Sequence, residues 1–124
     1  MKNRIVLLAT LVVIGSATRA VRGDERTLTG KISDSLCGAS HAAMAAKQSS
    51  KISDRDCVIA CLSYSTENSP KLVFVAQGGQ VYQIANQKFS GLLRRAGDPV
   101  SVTGEVTGNT LTIAKLEPAP GKAK

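Results

Sequence analysis

The residues with the most chemistry to offer are Cys37, His41, Cys57 and Cys61. They comprise every cysteine and the only histidine of the chain, all within residues 37–61. The spacing is C-x3-H, then fifteen residues, then C-x3-C. Residues four apart share a helix face, so each pair can present two side chains in one direction. Two such faces brought together supply four nitrogen and sulfur donors, the set that tetrahedral zinc takes. Met44 follows His41 by three residues and adds a thioether. Cysteine, histidine and methionine together are soft ligands that suit Cu(I), which makes copper the second candidate ion. Asp34, just ahead of Cys37, is placed to hold the His41 ring from behind such a metal. Its plainer alternative is a solvated turn residue.

The thiols admit two further readings. Cysteines of exported proteins most often pair as disulfides. Cys37 can bridge Cys57 or Cys61 and leave one thiol over, which a metal explains and a staple does not. A Cys57–Cys61 bond within one helical turn would be strained. Redox cycling of the C-x3-C pair is the third reading. A helix N-terminus favours the thiolate there, but Asp54 and Asp56 oppose it. The candidates are thus a metal-binding module, a disulfide-stapled ligand- or partner-binding domain, and a thiol redox partner. No Ser/His/Asp set, Gly-rich phosphate loop or persuasive carboxylate pair is present, so hydrolytic catalysis has little support.

The N-terminus addresses the chain to the cell envelope. Lys2 and Arg4 precede ten apolar residues, Ile5 to Ile14, and small residues follow. Ten is too few for a membrane span, which needs roughly 20, and suits the core of a secretory signal cut after Ala20 or Gly23. An uncleaved anchor is the alternative. No cysteine follows either cut, so no lipid anchor is expected, and periplasm and medium are both open. Cleavage after Ala20 removes Lys2, Arg4 and Arg19 and lowers the formal charge from +7 to +4. The remainder suffices for one core. Its charges are scattered, without the basic stripe of a nucleic-acid binder, and no later stretch is apolar enough to span a membrane.

The elements that must position the cluster follow from periodicity. Thr27–Asp34 alternates, with Leu28, Gly30 and Ile32 on one face, and reads as a strand. Residues 35–65 read as a helical-hairpin insert. Ala39–Lys47 is alanine-rich, and Asp56–Ser63 is a short helix that Ser53 can cap. Lys71–Gln77 and Gln80–Ala85 flank Gly78-Gly79, a hairpin signal. Asn86–Ala96 changes period: Phe89, Leu92, Leu93 and Ala96 share one helical face, Asn86 can cap and Gly97 can terminate. Val100–Thr107 and Thr110–Leu116 are strands about a Gly108-Asn109 turn. Residues from Pro118 on form a polar tail. Five strands, with a helix between the third and fourth, are the element order of a small OB-like barrel of the mainly β (α+β) class, with the insert after the first strand. A small open sandwich is the alternative.

The run Thr29–Gly38 (TGKISDSLCG) with His41 and Met44, then Asp56-Cys57 with Cys61, then residues 78–86 (GGQVYQIAN), resembles a family of small secreted bacterial proteins. Their shared pieces are T-G-x-I-S-D-S-x-C-G-x-x-H, C-x3-C and a closing V-x-V-x-G-x-V, here Val100–Val106. The resemblance covers most of the chain after the signal. It implies secretion and gives weight to Cys37, His41, Cys57 and Cys61 as a set; it implies no activity.

Overall fold

The computed structural model describes residues 22–39, 52–63 and 69–121. Five strands close into a barrel: β1 (Asp24–Asp34), β2 (Leu72–Ala76), β3 (Val81–Ile84), β4 (Pro99–Thr107) and β5 (Thr110–Pro118). Around the barrel the order is β1-β2-β3-β5-β4, and β4 returns to β1. All neighbours are antiparallel except β3 and β5, which run parallel. Closure removes the free edges that a five-stranded open sheet would expose.

Alternation builds the core. Ile32, Phe74, Tyr82, Ile84, Val100, Val102, Val106, Leu111 and Ile113 turn inward from the strands, while residues such as Lys31, Gln83, Glu105 and Thr112 face water. Phe74 and Tyr82 are cross-strand partners with ring centroids 6.3 Å apart. Gly78 and Gly79 both take positive φ and close the β2–β3 hairpin, as their pairing predicted. Strand β5 runs on through Glu117 and Pro118, which pair with Ser101 and Val100.

Among the described residues one helix, α1 (Asp54–Leu62), lies between β1 and β2 in the chain. Ser53 caps it: the hydroxyl accepts the Asp56 N–H at 3.1 Å. Cys57, Val58 and Cys61 are its buried residues. Val58 joins the barrel core, a burial worth about 1.5–3 kcal/mol. The helix start lies hard against Gly97, where a Cβ would sit 2.5 Å from the Arg55 nitrogen. Gly97 also has φ +77°, so no other residue fits that crossing comfortably. A Lys31–Asp54 ion pair at 2.9 Å joins the helix start to β1. The expected first helix of the insert, Ala39–Lys47, lies outside the described residues apart from Ala39, as does the signal segment 1–20.

Residues 86–96 correct the expected helix. They form successive turns and a single 3₁₀ turn at Leu93–Arg95. Two features divert them. Gly91 takes φ +84°, which breaks a helical run. The Asn86 side chain, instead of capping, donates to the Ile113 carbonyl at 2.7 Å and accepts its N–H at 2.9 Å. Leu92 and Ala96 are still buried, but Leu93 is 54% exposed.

Candidate metal centre

The site forms where β1 ends over the inner face of α1. At the strand end, Asp34 is fully buried, so it is no solvated turn residue. One carboxylate oxygen, Oδ1, accepts the N–H groups of Leu36 at 3.0 Å and Cys37 at 2.9 Å. This local bonding suits Asp at a turn. The Asp34 carbonyl accepts the Gly38 N–H at 2.8 Å, and the Ser33 hydroxyl donates to the Gly38 carbonyl at 2.8 Å. The Cys37 backbone is thereby fixed from both sides. The Ser33 contact was not foreseeable, since Ser33 reads as any polar strand residue.

On α1, Cys57 and Cys61 are 1% and 2% exposed. Their i, i+4 spacing turns both sulfurs toward the Cys37 turn, while Ile59 and Ala60 face water. The three Sγ atoms lie within 4.8 Å of one another. Cys37 Sγ and Cys61 Sγ are 3.8 Å apart, and no disulfide links any of the three. Three of the four sequence-predicted ligands are therefore brought together. His41, the fourth, and Met44, the added copper ligand, lie outside the described residues.

The electrostatics of the pocket are distinctive. Asp34 Oδ2 is buried without a hydrogen-bond partner among the described residues. None of the ion pairs among the described residues involves Asp34. A buried carboxylate with no cation beside it is costly. Burial pushes the Cys37 thiol up to about 12, with the Asp34 charge the next cause. The Cys61 thiol is raised too, again by burial first and then by Asp34. The carboxylate thus acts on both sulfurs. A cation bound among the thiols would offset this negative charge and displace the thiol protons.

No protein-family model, curated protein or solved structure matches this chain. No helix among the described residues is long and apolar enough to cross a membrane. The functional reading therefore stands on the site itself.

Proposed function

We propose that this chain is an exported metal-binding module that holds zinc, with copper the second choice, through Cys37, Cys57, Cys61 and His41. The observation that carries the reading is the convergence of three sulfurs from two separate elements. A single staple would need only two of them. Zinc–thiolate bonds of about 2.3 Å at tetrahedral angles set sulfurs about 3.8 Å apart, and the Cys37–Cys61 pair already has that spacing. The unpaired Asp34 oxygen supplies a reason for a cation to sit here. His41 enters from its C-x3-H spacing to Cys37, and Asp34 is the acid that would orient its ring. Met44 would join only for copper.

The scaffold reading goes with it. The strand order β1-β2-β3-β5-β4, closed through β1, supports an OB-like barrel with a functional insert after its first strand. Export rests on the N-terminal signal pattern and on the resemblance to small secreted proteins.

Cobalt(II) tests the site, because thiolate ligation gives intense near-ultraviolet charge-transfer absorption. Titration of the reduced protein should saturate at about one equivalent, and His41→Ala should weaken the binding. An absorption that never develops, with all three thiols reduced, would overturn the reading.

A further inference from the structure

The same three sulfurs are not equivalent. Cys37 is partly exposed and sits on the turn after β1, while Cys57 and Cys61 are buried on α1. Cys37 Sγ meets Cys61 Sγ across the two elements at 3.8 Å. A Cys57–Cys61 bond would instead have to form inside a regular helix, against the geometry that disulfides prefer.

We propose that Cys37 and Cys61 are a redox pair, and that their oxidation by a disulfide removes two of the metal's ligands and releases the ion. This inference rests on the metal reading above. The chemistry is thiol–disulfide exchange. Cys37, a thiolate while it holds the metal and only a minor thiolate fraction without it, attacks one sulfur of the oxidant's disulfide, and the first oxidant thiolate leaves; the metal-free chain therefore reacts more slowly. Cys61 then attacks the Cys37 sulfur of that mixed disulfide and expels the oxidant's other half. The two protein sulfurs together lose two electrons; the oxidant's halves leave as thiolates and take up two protons, from solvent where the sulfurs were metal-bound and from the protein thiols where they were not, and the metal ion departs once these two sulfur ligands are gone. The exposure of Cys37 makes it the sulfur an outside disulfide reaches first. Cys57 is not oxidised at any step and can rejoin the site on reduction.

The sequence makes the pairing easy to read. Trypsin cuts after Lys31, Lys47, Arg55 and Lys71, so residues 32–47 carry Cys37 and residues 56–71 carry both other cysteines. Zinc-loaded and metal-free samples of the signal-processed chain are treated with glutathione disulfide, alkylated and digested. In both, residues 32–47 should be linked to 56–71, and fragmentation should place the alkyl group on Cys57. From the loaded sample, a colorimetric chelator should collect zinc in step with disulfide formation. Cys57→Ser should give the same link, and Cys37→Ser should give none within the chain. A Cys57–Cys61 bond, a Cys37–Cys57 bond or mainly intermolecular disulfides would overturn the pairing. Zinc retained after the link has formed would overturn the release. A sample that takes up no zinc at the outset would overturn the metal reading and the release with it, while the disulfide map would still report on the pairing.

Discussion

The barrel and the thiol corner are held in different ways. The barrel is redundant: five strands share ladders on both sides, and thirteen buried side chains form one cluster. Among the described residues the corner has one turn, one helix of nine residues and a few named bonds. Its interior is lined with thiols and an unpaired carboxylate oxygen rather than with hydrocarbon. The corner, built so sparingly and with one buried carboxylate oxygen left over, brings together three sulfurs that could hold a metal ion.

That contrast can be broken from either side. The largest effect belongs to the barrel. Phe74→Ala should cost about 3–5 kcal/mol of unfolding free energy, read as a lower urea midpoint, and the loss should be similar with or without metal. Next comes the corner's own chemistry. Cys61→Ser should weaken zinc binding by more than the roughly 10–100-fold that changes behind a metal cause. Its far-ultraviolet dichroism in chelator should stay that of the parent. A zinc affinity equal to the parent's would mean that the sulfurs merely pack.

Asp34 sharpens the comparison further. Asp34→Ala strips the acceptor from the Leu36 and Cys37 N–H groups and should weaken zinc binding about 10–100-fold. Asp34→Asn keeps an acceptor oxygen and should restore the turn, seen as hydrogen-exchange protection of the Cys37 amide. Smaller again, Ser53→Ala removes the α1 cap and should cost about 1 kcal/mol, measured by thermal unfolding of the metal-free chain.

The mildest test is pH. In the metal-free chain the folded Cys37 thiol keeps its proton up to about 12, whereas the ordinary thiol value is 9.0. Between those two pH values the folded state binds more protons than the unfolded one, so stability falls as pH rises through that window. Below it the contribution is fully present. Urea titrations across the window should show the decline, and Cys37→Ser should flatten it. A decline of equal slope in that variant would remove Cys37 as its source.

The two regions also differed in how far the sequence revealed them. Strand alternation was plain, because Leu28, Ile32, Val100, Val102, Val106, Leu111 and Ile113 each have a polar residue or glycine as neighbour on at least one side. The ends of β1 and β5 were not, since Asp24–Arg26 and Glu117-Pro118 pair through backbone and carry no apolar signal. Phe89, Leu92 and Ala96 mimicked a helix because turns also repeat near every three residues, and Gly91 decided the matter. At the corner, the i, i+4 spacing of Cys57 and Cys61 and the Ser53 cap were legible. The burial of Asp34 was not, because a polar residue beside Ser35 at a strand end reads as surface, and only the fold puts α1 over it.

The most direct measurement is the metal content and thiol state of untagged protein purified from its native cells. The protein should carry about one equivalent of zinc, or of copper, with all three cysteines reduced and the metal lost to chelator or acid. Less than about a tenth of an equivalent of any transition metal, with two cysteines already joined in the freshly isolated chain, would contradict that expectation.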